Sequence, residues 1–246
     1  MIRSSLVVLY LVLYVLFVGI PFIVYAGLTG SADTLYRVGI RGLKGMLWFG
    51  GVRVRVEGLQ NVPAGVCVFV ANHTSNSDPP AVVVAIPKRV SLLAKKEVFR
   101  LPVLSAAFRL VGIVPVDRAD PDSAAASVNQ AVQALKSGLS FLVYPEGTRS
   151  RDGRLLPFKK GTFVMAIEAG VPIVPISVGG AQKIMPKGKL AIHPGEIVVK
   201  FHLPVDASRY TLEQRGELLE RVQAAVAAGL PEDQQPAAAA KETASP

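Results

Sequence analysis

The run Asn72-His73-Thr74-Ser75-Asn76-Ser77-Asp78 places one imidazole five residues before one carboxylate, directly after an apolar stretch at 66–71. A neutral imidazole takes a proton from an alcohol, and a carboxylate on its other nitrogen fixes the tautomer and stabilises the imidazolium that forms. His73 is the candidate base and Asp78 its partner. A spacing of five suits a turn or a first helical turn, because an odd spacing along a strand sends the two side chains to opposite faces. Pro79 and Pro80 follow at once and favour a helix start. The same residues also fit a plain helix start, with Asn72 and His73 capping and Asp78 a second cap. Taken alone, the spacing does not separate the two readings.

A second polar cluster, Tyr144-Pro145-Glu146-Gly147-Thr148-Arg149-Ser150, ends another apolar stretch at 139–143. Ligand sites of α/β sheets collect at strand ends. Glu146 can accept from a substrate hydroxyl, Gly147 lets the backbone approach closely, and Thr148 and Arg149 can donate to an anion. Cations continue through Arg151, Arg154, Lys159 and Lys160, with Asp152 the only acid among them. The bland reading makes Glu146 a helix N-terminal partner.

In order and spacing the chain resembles the 1-acylglycerol-3-phosphate O-acyltransferases, the lysophosphatidate acyltransferases of glycerolipid synthesis. That family's first block, Asn-His-x-x-x-x-Asp, stands as Asn72, His73 and Asp78. Its second, a Gly before a short strand ending in Asp-Arg, stands as Gly112-Ile113-Val114-Pro115-Val116-Asp117-Arg118. The third is Tyr144 to Ser150, with Tyr where Phe is commoner, and the fourth is Val171-Pro172-Ile173-Val174-Pro175-Ile176. Ala94-Lys95-Lys96-Glu97 and Phe158-Lys159-Lys160-Gly161 match further family stretches. One block alone is weak, whereas four in order are specific.

The resemblance implies an α/β fold of the glycerol-3-phosphate acyltransferase-like type, a mixed sheet covered by helices, with an N-terminal hydrophobic membrane-anchoring helical module. It also implies transfer of a fatty acyl group from acyl-CoA or acyl-ACP (acyl carrier protein) to the sn-2 hydroxyl of lysophosphatidic acid. On this reading His73, held by Asp78, removes the hydroxyl proton as the oxygen attacks the thioester, with no covalent acyl-enzyme and no cofactor. Lys95 is the first candidate to stabilise charge on the thioester oxygen, and backbone amides after Asp78 are the alternative. Asp117 and Arg118 join Arg149 at the acceptor, the two arginines on its phosphate, while Glu146, Gly147 and Thr148 place the glycerol. Against these stand a surface ion pair of Asp117 with Arg118 and a solvated face at Lys95 and Lys96. Glycerol-3-phosphate, another lysophospholipid or a lyso-aminolipid is the nearest alternative acceptor, and a lipid-binding protein or an acyl hydrolase the alternative class.

Composition sets the context. Hydrophobic residues make up 50% and charged ones 18% of 246, a balance that leans towards membrane association. Lysine and arginine number 27 against 18 acids, which suits anionic lipid surfaces and phosphate-bearing substrates. Nucleic acid is set aside, since no zinc spacing, aromatic RNA-binding signature or arginine-rich helix accompanies the charge. Cys67 is the only cysteine and sits mid-strand among Val66, Val68 and Phe69, where a small buried hydrophobe is expected. His73, His193 and His202 lie too far apart in sequence to suggest a metal.

The elements that must position the site follow from hydrophobic patterning. Residues 6–26 are almost purely apolar, long enough for a bilayer core. A spanning helix, a re-entrant helix and a cleaved signal peptide all fit; a retained anchor in the cell membrane is favoured, with the catalytic domain on the cytoplasmic side where the acyl donors are. Residues 35–49 carry Arg37, Arg41 and Lys44 at helical spacing opposite apolar residues, as in an interfacial helix. Strands are expected at 52–56, 66–71, 90–93, 113–116, 141–144, 173–178 and 197–201, with helices at 81–86, 99–110, 123–137, 162–168 and 212–228. Pro115 lacks a donor, so its strand belongs at an edge. The expected division is an anchoring module at 1–49, a catalytic domain at 50–230 and a disordered tail at 231–246.

Overall fold

The computed structural model describes residues 2–117, 120–186, 188 and 191–236. Apolar residues at the start of the chain form one long helix: α1 (Ile2–Tyr14) passes through a π turn at Val15–Gly19 into α2 (Ile20–Thr29). Pro21 stands in the first turn of α2, and the π turn just before it is where the helix absorbs the missing N–H. This helix, Ile2–Thr29, is long and apolar enough to cross a membrane. The helix α3 (Ala32–Phe49) folds back along it. Two glycines allow the close approach: a Cβ on Gly42 would stand 2.7 Å from Tyr14 Cε1, and one on Gly45 2.0 Å from the Tyr10 hydroxyl. The Tyr14 hydroxyl donates to the Val38 carbonyl at 2.8 Å.

Strands and helices then alternate through β1 (Val52–Glu57), β2 (Val68–Ala71), α4 (Asp78–Ala85), β3 (Val90–Lys95), α5 (Pro102–Val111), β4 (Val114–Val116), α6 (Pro121–Lys136), β5 (Ser140–Val143), α7 (Gly161–Ala169), β6 (Ile173–Gly179), α8 (Ala181–Ile184), β7 (Gly195–Phe201) and α9 (Arg215–Ala228). The strands form one sheet in the order β1-β7-β6-β2-β5-β3-β4. From β6 to β4 all neighbours are parallel; β7 runs antiparallel to β6, and β1 parallel to β7. The sheet is therefore mixed. All seven expected strands form, with ends shifted by one or two residues.

Central strands are apolar throughout because both faces are covered. Val68, Val70, Phe141 and Val143 point to one face and pack with residues of α6, α7 and α9, including Leu135, Phe163 and Val222. Cys67, Phe69, Ala71 and Leu142 point to the other, where Ala81 and Val82 of α4 and the partly buried Tyr36, Ile40 and Leu43 of α3 cover them. Burial pushes the Cys67 thiol up to about 11, which keeps it an inert core group. Pro115 is exposed on β4, at the sheet edge, in register with Ala94.

Three expectations are corrected. The helix expected from 99 begins at Pro102, whose ring suits a first turn, and a 3-10 turn at Lys96–Arg100 precedes it. The last helix begins at Arg215 rather than 212: the Gln214 side chain accepts from the Thr211 N–H at 3.1 Å, closing a turn ahead of the helix. Disorder from 231 does not hold as far as 236. Glu232–Gln234 forms a 3-10 turn, Gln234 is buried, and its carbonyl accepts from the Leu155 N–H at 2.9 Å. A polar composition argued for disorder, but a backbone pairing with a distant loop outweighs it. Residues 237–246 lie outside the described residues.

Candidate active site

The main chain leaves the sheet after β2, and one side chain continues the ladder in its place. Asn72 is fully buried; its Nδ2 donates to the Val178 carbonyl at 3.0 Å and its Oδ1 accepts from the Val178 N–H at 2.7 Å. His73 is then held through its backbone on both sides. Its N–H donates to Glu146 Oε1 at 2.6 Å and its carbonyl accepts from the Ser150 N–H at 2.9 Å. The loop turns into α4, where Asp78 is fully buried. A single oxygen, Asp78 Oδ2, accepts from His73 Nδ1 at 2.9 Å, from the Thr74 N–H at 2.6 Å and from the Ser75 N–H at 2.7 Å. The same oxygen that meets the imidazole thus holds the loop ahead of α4, and Asp78 does not cap the helix: Ser77 is the N-cap residue, and its side chain makes no bond to the first helical amides. Ser75 and Ser77 moor the loop to the α8 segment by donating to the Met185 and Ala181 carbonyls at 2.7 and 3.3 Å.

This arrangement sets the tautomer. An ionised carboxylate only accepts, so Nδ1 carries the proton and Nε2 keeps a lone pair. The His73 side chain is 15% exposed, enough for a substrate oxygen to reach its edge. Tyr144 stacks on the ring, centroids 4.4 Å apart and planes 30° apart. Its hydroxyl is buried without a hydrogen-bond partner among the described residues, and burial, with the Asp78 charge adding, holds the phenol well above its usual range. Sequence reasoning noted Tyr144 only as a variant of Phe. The aromatic position of the third block was the signal that a ring belongs against the imidazole.

The expectation for Glu146 is corrected. The carboxylate is buried and turned towards the main chain, with Oε2 accepting from the Leu156 N–H at 3.2 Å while Oε1 holds His73. Both oxygens are engaged, so Glu146 positions the base rather than meeting a substrate hydroxyl. Burial pushes its carboxyl up to about 8; the two amide donors pull the other way, and the nearby Asp78 adds to the rise.

The remaining candidates lie around this centre. Gly147 has a φ of 71°, a left-handed conformation that suits glycine at this turn. Thr148 is exposed beside it. Arg149 reaches across to the first block, its Nη1 donating to Asn76 Oδ1 at 2.6 Å. Asn76, a variable position of that block, was not singled out from the sequence. Lys95 ends β3 at the same end of the sheet as His73, but β5 intervenes, putting the two strands about 10 Å apart. It is exposed and pairs with Glu97 at 3.4 Å, so the structure does not bring it to the dyad. Asp117 pairs with Lys96, and Arg118 lies outside the described residues. No group of three or more potential metal ligands gathers among the described residues.

A serine–histidine contact also occurs among the described residues. Ser177 Oγ on β6 and His202 Nε2 just past the end of β7 are 2.7 Å apart, but the serine hydroxyl donates to the Val226 carbonyl at 2.6 Å. His202 must therefore donate to the serine, and the pair ties α9 to the sheet.

A buried carboxylate orienting a histidine at the C-terminal end of a parallel strand, beside a Glu-Gly-Thr-Arg turn, defines an acyl-transfer class of site on this fold. Residues 53–179 match the Acyltransferase family model, and the chain belongs to that family. Over 171 residues it is 38% identical to a chloroplastic 1-acyl-sn-glycerol-3-phosphate acyltransferase of Brassica napus, covering 67% of this chain and 49% of the relative. The 1-acyl-sn-glycerol-3-phosphate acyltransferase alpha of Homo sapiens is 32% identical over 174 residues, 70% of this chain and 62% of that one. The chain thus spans about half the length of the Brassica relative it matches. Among solved structures, the 1-acyl-sn-glycerophosphate acyltransferase PlsC of Thermotoga maritima superposes with a TM-score of 0.75 at 29% identity, over 91% of this chain and 96% of that one.

Proposed function

We propose that the protein transfers a fatty acyl group from an acyl thioester, acyl-CoA or acyl-ACP, to the sn-2 hydroxyl of lysophosphatidic acid, giving phosphatidic acid for phospholipid biosynthesis. The observation that carries the reading is His73 with its Nδ1 proton committed to Asp78 and its Nε2 lone pair available. In the reaction Nε2 takes the hydroxyl proton while the oxygen bonds to the thioester carbon. The imidazolium is stabilised by Asp78; the C–S bond then breaks, and the imidazolium returns the proton to the leaving thiolate. No cofactor enters these steps.

Charge on the thioester oxygen needs a donor. The backbone source is weak here, because Pro79 and Pro80 remove two N–H groups from the start of α4 and the Thr74 and Ser75 amides are spent on Asp78. Lys95, with its flexible stem at the same end of the sheet, remains the proposed donor. Arg149 and Arg118 take the acceptor phosphate, with Asp117, Gly147 and Thr148 around them. We further place the protein at the cell membrane with the catalytic domain on the cytoplasmic side. The exposed Leu6, Leu13, Phe17, Leu28 and Trp48 on the N-terminal helices support that placement.

The test is acyl transfer from labelled acyl-CoA and acyl-ACP to lysophosphatidate, glycerol-3-phosphate, a lysophosphocholine lipid and no acceptor. Phosphatidate formed with lysophosphatidate alone, and falling by roughly a thousandfold in His73→Ala, is the expected result. Product on another acceptor keeps the chemistry and replaces the substrate. Free fatty acid without acceptor would make the protein a hydrolase.

A further inference from the structure

The turn that carries Arg149 also carries a second cation that the reaction scheme has not used. The Lys159 N–H donates to the Pro145 carbonyl at 2.9 Å, which ties this residue to the base of the Glu146–Ser150 turn. Its side chain then lies across Gly147: a Cβ built on that glycine would stand 3.0 Å from Lys159 Cε and 3.1 Å from Nζ. Any side chain at 147 would displace the ammonium, so the glycine serves the lysine as well as the turn. Lys159 is exposed, and no carboxylate among the described residues forms an ion pair with it. Lys96, by comparison, has its charge answered by Asp117, and Lys95 by Glu97.

Charge balance gives this placement a use. A phosphate monoester carries about −1.5 to −2 at neutral pH, more than Arg149, the guanidinium at this turn, neutralises by itself. Arginine supplies planar, bidentate contacts, while lysine supplies a compact charge that adapts to the remaining oxygens. Arg149 and Lys159 flank one turn, the first steadied by Asn76 and the second by Pro145.

We infer that Lys159 is a further cation of the acceptor site, binding the phosphate of the lysolipid together with Arg149 and Arg118. The inference rests on the acceptor proposed above and adds a specificity-determining residue to it. A phosphate-bearing acceptor is then favoured over the same lipid without phosphate by two charges held on one turn.

The experiment uses the full chain in mixed micelles, with initial rates for wild type, Lys159→Gln and Lys159→Arg. Acceptors are lysophosphatidate and 1-acylglycerol, which lacks the phosphate; binding of glycerol-3-phosphate is followed by calorimetry. Lys159→Gln is expected to raise KM for lysophosphatidate roughly tenfold, while kcat and KM for acyl-CoA stay within about twofold. Its rate on 1-acylglycerol should not change, and Lys159→Arg should restore the acceptor KM. An unchanged acceptor KM overturns the inference. So does a rise confined to the KM for acyl-CoA, which would place Lys159 on the donor's phosphates. If wild type makes no phosphatidate, the proposed function fails. The calorimetry still decides on Lys159, since weaker glycerol-3-phosphate binding in Lys159→Gln supports the phosphate role and unchanged binding rejects it.

Discussion

His73 and His202 each have a ring nitrogen within 2.9 Å of an oxygen, yet only His73 has a carboxylate beside it to stabilise the cation that taking up a proton would form. At His73 the partner is a carboxylate, which takes the Nδ1 proton and leaves Nε2 as an acceptor. At His202 the partner is a serine whose own proton goes to the Val226 carbonyl, so the imidazole can only donate towards it. Burial and the nearby Lys200 also hold His202 below its usual range, keeping it neutral. A histidine near a hydroxyl or a carboxylate is not yet a base. What matters is which atom the partner leaves unsatisfied.

The largest effect expected from breaking this contrast is at Asp78. In Asp78→Asn the same single position must still face Nδ1 and the Thr74 and Ser75 N–H groups, so the amide oxygen keeps these hydrogen bonds while the negative charge that stabilises the imidazolium is lost. Initial rates should fall by about a hundredfold or more, with thermal stability measured alongside to show that the fold persists. Retained activity would remove Asp78 from the mechanism.

Next comes Glu146, which links the base to the rest of the sheet. Its folded pKa of about 8 lies above the ordinary 4.5, so the folded chain holds a proton that the unfolded chain releases. The stability contributed is fully present below about 4.5 and is lost as pH rises through 8. Melting temperature should therefore decline across this window in wild type. In Glu146→Gln, which does not titrate, that decline should flatten. The smallest effect is at the second histidine: Ser177→Ala should cost about 1 kcal/mol in denaturant unfolding and leave acyl transfer unchanged. A large activity loss there would undo the contrast between the two sites.

The fold was largely legible in the sequence because its central strands are buried on both faces and read as largely apolar runs, unbroken at 66–71 and interrupted only by Ser177 at 173–178. Pro115 does lie on an edge strand, as a residue without an N–H favours, although Pro175 of the interior strand β6 shows that proline alone does not fix strand order. The His73–Asp78 pair was legible because both members lie on one short loop. Glu146 was not. Its partners are backbone amides, which leave no trace in residue identity, and one of them is 73 positions away. The distance of Lys95 from the dyad was not legible for a related reason: strand order puts β5 between β2 and β3, and order is a property of pairing, not of composition. Lys159 lay in a stretch matched from the sequence, but its position over Gly147 depends on how the loop from 147 to 159 closes.

Asn72 closes on Val178 across 106 positions, and Glu146 meets His73 across 73. Contacts at such separations carry a larger loop-closure cost than local ones. A nascent chain that ends at residue 150 already contains His73, Asp78, Glu146 and Arg149, yet it lacks β6 and therefore the partner that holds the loop at Asn72. The anchor that holds the base thus comes from the last third of the chain, although the two residues of the base itself are made in the first third.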